Sequence, residues 1–300
     1  MNNKAYSRDS IKTMNALLLV VAMVVLTNCS PQKVGETARS GQMSLAVDRQ
    51  LGDSAGSQIE TFKRYYPDAR ITLIPSPSGT TLKHLLSRNA RAALISGDPE
   101  SAEDSLFATL HPPLRREPVA RDAIVCIVNR LNPVSKFSLS ELKSLYSGKE
   151  KEGVTPLLTA DDYRLRSVIA AGTGMHKKDI RARVCKNETE LIQRVSSDSK
   201  AVGLLFRSSL DEVLNAGKAE QSVRIIPLAR DSEGFPPCQP TQQNIFEGRY
   251  PLVTTVYYIY YSGDALAAGF GSWLSSSGQK AFERSSLAPY RPFERTVILK

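Results

Sequence analysis

The residues best suited to chemistry in this chain are small hydroxyl side chains. Pro75-Ser76-Pro77-Ser78-Gly79-Thr80-Thr81 reads as a turn opening a helical pattern that runs from Leu82 to Leu86. Short side chains at such a start leave several backbone N–H groups uncovered, so Ser78, Gly79, Thr80 and Thr81 suit the holding of an anion. Other chemistries find no support. His84, His111 and His176 fall on separate predicted elements, with no His-x-x-x-His pair and no nucleophile elbow, so neither a zinc site nor a triad can be drawn. None of the four cysteines lies in a Cys-x-x-Cys pair, which argues against a metal or iron–sulfur site. Ala171-Gly172-Thr173-Gly174 looks like half of a nucleotide loop, but it follows a helix and reads as a helix stop. The residues point to a binding protein that needs no cofactor, not to an enzyme.

The elements that must carry that turn alternate in type. Strand-like runs at residues 43–47, 70–74 and 92–95 are separated by helical patterns through Ile59–Tyr65 and Leu82–Leu86, a rhythm that predicts an α/β fold. A strand at 123–128 follows. Ser138-Leu139-Ser140-Glu141 is then a capping box for a helix that stops at Gly148. A strand near 154–158 leads to a helix whose Leu165, Val168 and Ile169 share one face. Asn187 with Glu190 caps another helix, and residues 202–206, 223–227 and 252–261 read as strands before helices at 266–274 and 279–284. Tyr257, Tyr258, Tyr260 and Tyr261 at strand alternation read as packing residues, with a sugar-stacking platform as the alternative.

Three hundred residues allow about two domains, and 41% hydrophobic with 23% charged residues excludes disorder, collagen and a polytopic membrane protein. Arg8 and Lys12 precede an apolar run at residues 16–26 that is too short to span a bilayer, so residues 1–28 read as a signal peptide. The run ends in Leu26-Thr27-Asn28-Cys29-Ser30, which resembles a bacterial lipobox, making Cys29 the expected lipidation site and residues 29–42 a polar tether. Lys4, Arg8 and Lys12 would leave together with Asp9, so the net charge falls by two, from +9 to +7. An exported, membrane-anchored protein facing the periplasm or the cell surface has no routine access to nucleic acid, and its basic balance suits anionic ligands or an anionic membrane surface. Cys126 reads as buried and inert; Cys185 and Cys238 could pair if the fold brings them together.

The stretch Arg121-Asp122-Ala123-Ile124-Val125-Cys126-Ile127-Val128-Asn129, followed by Asn132-Pro133 and by Leu139 through Tyr146-Ser147-Gly148-Lys149, resembles the phosphate-binding lipoproteins of ABC phosphate importers, the PstS-like proteins. Glu247-Gly248-Arg249-Tyr250-Pro251-Leu252 and Ala201-Val202-Gly203 are similar to further stretches of that family, and the likeness runs over residues 43–292. The resemblance implies a type II periplasmic-binding-protein fold: two α/β lobes, 43–123 with 253–300 and 124–252, joined by crossover strands and holding ligand in the cleft between them. It also implies phosphate or another small oxyanion as ligand, ABC transporter permease subunits as partners, and no metal.

Carried over by residue, the first-lobe loop is Ser78, Gly79, Thr80 and Thr81. Ser96-Gly97-Asp98-Pro99 resembles the strand end whose aspartate meets the proton of phosphate, with Asp98 displaced by one position. The second-lobe motif should fall at Asp161-Asp162-Tyr163-Arg164, where the family's hydroxyls are missing. Carboxylates there would repel an entering anion, whereas Arg164 or Arg166 could grip one bidentately. Asp161 or Asp162 capping the helix with solvated arginines is the other reading. The departure leaves two functions open: capture of phosphate or a related oxyanion for an importer, or a lipoprotein of the same fold that has lost phosphate affinity and serves as an interaction or sensor module.

Overall fold

The computed structural model describes residues 35–149, 153–160, 163–215, 217, 222–232 and 234–292. The signal peptide, Cys29, Asp161 and Asp162 lie outside these described residues.

The chain opens with β1 (Gly41–Asp48), α1 (Gly52–Tyr65), β2 (Ala69–Ser76), α2 (Thr81–Leu86), β3 (Ala92–Ser96) and α3 (Ser101–Phe107). β1 pairs in parallel with both β2 and β3, as helical crossovers between successive strands allow. β4 (Leu114–Asn129), β5 (Phe137–Ser138), α4 (Leu139–Tyr146), β6 (Thr155–Thr159) and α5 (Tyr163–Thr173) follow. Next come β7 (Arg183–Cys185), α6 (Glu188–Ser197), β8 (Ala201–Phe206), α7 (Arg207–Asn215), β9 (Val223–Ile226) and β10 (Leu228–Ala229). The described chain closes with α8 (Gln242–Phe246), β11 (Val253–Tyr261), α9 (Ala265–Leu274), α10 (Gln279–Phe282) and β12 (Ala288–Pro289).

The main sheet runs β2-β1-β3-β11-β4-β8-β6-β7. β4 belongs to both of its halves. Up to Ala123 it pairs antiparallel with β11, and from Ile124 it pairs antiparallel with β8. Each half buries both faces. In the first, Leu45, Val47, Leu94 and Tyr258 face Phe62, Phe270 and Trp273, while the alternate residues Ala46, Ala93, Ile95 and Ile259 face Leu82 and Leu85. In the second, Ile124, Cys126, Val128 and Leu204 pack on one side, and Val125, Ile127, Leu157 and Leu205 pack on Leu191 and Ile192 on the other. Period-two alternation with apolar residues on both faces is what a sheet covered by helices on each side requires.

Several expectations change in detail. β4 begins at Leu114, well before residue 123, because Arg115, Arg116 and Glu117 interrupt its apolar pattern although their backbones pair with β11. Cys185 and Cys238 are unpaired. Cys185 packs in the cluster on one face of the second half, Cys238 against the cluster on the other, so the sheet separates them. Cys126 is fully buried, and burial pushes its thiol far up. Of the tyrosines of β11, Tyr258, Tyr260 and Tyr261 are buried core residues and Tyr257 is half-buried against the core. Tyr258 is fully buried, donates its hydroxyl to the Ala267 carbonyl at 3.0 Å, and meets Phe270 edge-on at 5.8 Å.

Phe62 ties α1 to α9, with ring centroids 5.2 Å from Phe270 and 5.7 Å from Trp273. Phe62→Ala leaves a cavity among rings that cannot collapse onto it, and is expected to lower stability by about 3–5 kcal/mol. Urea unfolding of both chains measures this; a loss under about 1 kcal/mol contradicts the packing described.

Candidate functional site

The carboxyl ends of the parallel strands meet between the two lobes. Asp48 ends β1, Ser76 ends β2 and Ser96 ends β3, while Thr159 ends β6 on the opposite side. Crevices at such strand ends are where open α/β sheets bind ligands, because the loops diverge there and leave polar backbone groups exposed.

Arg164, in the first turn of α5, reaches into this junction. Its side chain is only 2% exposed and that of Asp48 is fully buried; Arg164 Nε lies 3.5 Å from Asp48 Oδ2, and Nη2 lies 3.6 Å from Glu103 Oε1 on α3. Nη1 donates to the Asp98 carbonyl at 3.4 Å, and the backbone N–H donates to Ser78 Oγ at 3.5 Å. The buried pair therefore spans the lobes, with one arginine of the second held by two carboxylates of the first. Asp48 is held in turn by the Ser96 N–H, which donates to Oδ2 at 2.8 Å, and by the Thr81 hydroxyl. A second tie runs beside it, where Lys177 pairs with Glu100 and Ser167 Oγ donates to Glu100 Oε1 at 3.0 Å.

Around this pair the polar atoms are incompletely matched. Asp48 Oδ1, Ser96 Oγ, Thr159 Oγ1, Arg164 Nε and Arg164 Nη2 are all buried without a hydrogen-bond partner among the described residues. Each such group costs about 1–3 kcal/mol, and native proteins hold few of them unless the position is functional. The group combines guanidinium donors, two hydroxyls able to donate or accept, and one carboxylate oxygen that accepts when ionised. Among the described residues no cluster of His, Cys, Asp and Glu is able to hold a metal ion.

The residues expected from the sequence are distributed unevenly. Ser78, Thr81, Ser96 and Arg164 are buried at the junction. Gly79 is exposed, and the Thr80 hydroxyl turns back to donate to the Pro77 carbonyl at 2.9 Å. Thr81 also reaches Pro77, at 3.3 Å. Asp98 is exposed, with its carboxylate accepting from the Tyr257 hydroxyl, and only its carbonyl meets Arg164. Arg164 is buried, so the solvated reading of it does not hold. Asp48, Glu103 and Thr159 were not expected. Asp48 follows the apolar run Leu45-Ala46-Val47, and Thr159 follows Leu157-Leu158; a polar residue closing an apolar strand is the signal that could have found them.

The sequence profile of the PBP superfamily domain matches residues 33–277. The phosphate-binding protein PstS of Pseudomonas aeruginosa is 22% identical over 292 residues, covering 89% of each chain. A putative phosphate ABC transporter substrate-binding protein from Clostridium perfringens, solved with bound phosphate, shares the fold with a TM-score of 0.68 at 17% identity, over 84% of this chain and all of that one. An ABC-type phosphate transport receptor from Vibrio cholerae gives 0.63 at 18% identity, over 82% of this chain and 99% of that one.

Burial pushes Asp48 up to about 6 from its ordinary 3.8, against the lowering pull of Arg164. Asp122, at the partner change in β4, is also pushed up to about 6 by burial, although the Ser208 hydroxyl donates to it at 2.6 Å. With folded values above unfolded ones, the folded chain holds more protons between about pH 4 and about pH 6. The stability these groups contribute is therefore complete below about pH 4 and is lost as pH rises through about 6. The melting temperature is expected to carry this downward slope, and Asp48→Asn to remove its share; equal slopes in both proteins contradict the assignment.

Proposed function

From the membership of this chain in the PBP superfamily, a family of solute-binding proteins and not of enzymes, we propose that it captures phosphate or a related small oxyanion between its lobes. It does so at the membrane surface, held by a lipid on Cys29, and delivers the anion to the permease of an ABC importer. The observation that carries this reading is Arg164, a buried guanidinium whose Nε and Nη2 have no hydrogen-bond partner among the described residues. Such a fork binds an oxyanion through two parallel charge-assisted bonds. Ser96, bonded through its N–H to Asp48, adds a hydroxyl of the first lobe while Arg164 comes from the second, so an anion at this point would tie the lobes together. The likeness to a phosphate-binding protein and to a binding protein solved with phosphate supports phosphate as the first ligand to try.

The bracketing carboxylates favour a second reading. With Asp48 and Glu103 ionised, the junction carries one positive and two negative charges, which oppose a dianion in a water-poor space. A chain so arranged could have given up phosphate scavenging for a sensor or interaction role. Phosphate calorimetry separates the two.

On the capture reading, phosphate is expected to bind at neutral pH with a Kd weaker than about 1 µM, the equivalent of about 8 kcal/mol. At equal monoanion concentration, binding should tighten as pH falls below about 6 and Asp48 takes up its proton. Arg164→Gln should weaken binding by about tenfold or more, as expected for a lost charge-assisted hydrogen bond, and Asp48→Asn should strengthen it at pH 7. No measurable heat at any pH leaves the sensor reading. Membrane anchoring is tested separately: Cys29→Ala is expected to release the protein into the soluble fraction, and retention on the membrane with unchanged mass contradicts lipidation.

A further inference from the structure

Arg164 also borders a larger space. α5 and the start of β11 border a half-open cleft of about 370 Å³ whose lining includes Gly97, Asp98, Arg164, Val168, Ala171 and Leu252. The gap that Ser78 and Thr159 share with Arg49 and Lys186 measures about 30 Å³, close to the smallest space that holds a water. The larger cavity falls within the range of small organic ligand sites, roughly 300–1,000 Å³. A tetrahedral inorganic ion of five heavy atoms would fill only part of it.

The walls are divided by chemistry. Val168, Ala171, Pro251 and Leu252 form an apolar side. Arg164 Nη1 meets the Asp98 carbonyl at the edge, and Thr254, buried at 7% exposure, faces in beside it. Gly97 lies in the wall between Thr254 and Val168, with a φ of +99° that glycine adopts readily. Asp98 supplies a carboxylate at the rim and disfavours a second anionic group.

The geometry points to an oxyanion that carries a short organic substituent, a phosphonate or phosphate monoester, as the ligand of this junction. Its charged head meets Arg164, and its uncharged tail lies against Val168, Ala171 and Leu252. This inference rests on the proposed oxyanion capture and adds the substrate class.

Calorimetry on the full chain with inorganic phosphate, propylphosphonate, propyl phosphate and 2-carboxyethylphosphonate tests it. At least one of the two propyl compounds is expected to bind tenfold or more tighter than phosphate, with the tighter of them identifying the linking atom, and the carboxyethyl compound to bind at least tenfold more weakly than propylphosphonate. Ala171 is exposed, so Ala171→Phe can fill the cavity without disturbing the core, and should bring the propyl-to-phosphate ratio to within about twofold of one. Phosphate binding as tightly as both propyl compounds, or a ratio unmoved by Ala171→Phe, overturns the substituent pocket and leaves oxyanion capture standing. If none of the four compounds binds, both fall together.

Discussion

A buried guanidinium between two carboxylates governs how the lobes of this protein meet. Arg164 leaves the second lobe from the first turn of its helix and stops between Asp48 and Glu103 of the first, at ion-pair distance from each. A charge removed from water in this way is tolerated only when opposite charge and hydrogen bonds surround it. Here the charge is matched but the hydrogen bonds are not, because Nε and Nη2 find no partner of good geometry. The pair therefore holds the lobes together without using the full capacity of the fork.

The scaffold brings these groups to one place by simple means. Asp48 and Ser96 close parallel strands of the first half of the sheet, and Thr159 closes a strand of the second half. β4 runs unbroken through both halves, fixing their relation in a single strand, with Asp122 and Ser208 bonded beside the point where its partners change. α3 contributes Glu103, and Glu100 caps its start, so this short surface helix and its cap meet α5 and the turn that follows it.

The arrangement differs from an anion site made only of neutral dipoles. Hydroxyls and backbone N–H groups hold an oxyanion with little change in net charge, whereas an arginine already paired with carboxylates must be shared. On the proposed oxyanion reading, affinity at this site follows the protonation of Asp48, which burial has pushed up to about 6.

The sequence by itself determined the α/β order, the helix starts at Ser138 and Asn187, and the family resemblance, because capping and strand alternation are local properties carried by neighbouring residues. It offered Arg164 or Arg166 as an anion grip and left solvated arginines as the other reading. It hid the first part of β4, where charged side chains sit on a paired backbone, and it passed over α3, which buries no residue. Only the tertiary structure decided that Asp48 is the carboxylate paired with Arg164, that Asp98 stays exposed, and that Thr80 turns away into its own loop. The reason is distance along the chain. Asp48, Glu103 and Arg164 are separated by more than fifty residues each, and no local pattern records that three strand and helix ends converge on one buried charge.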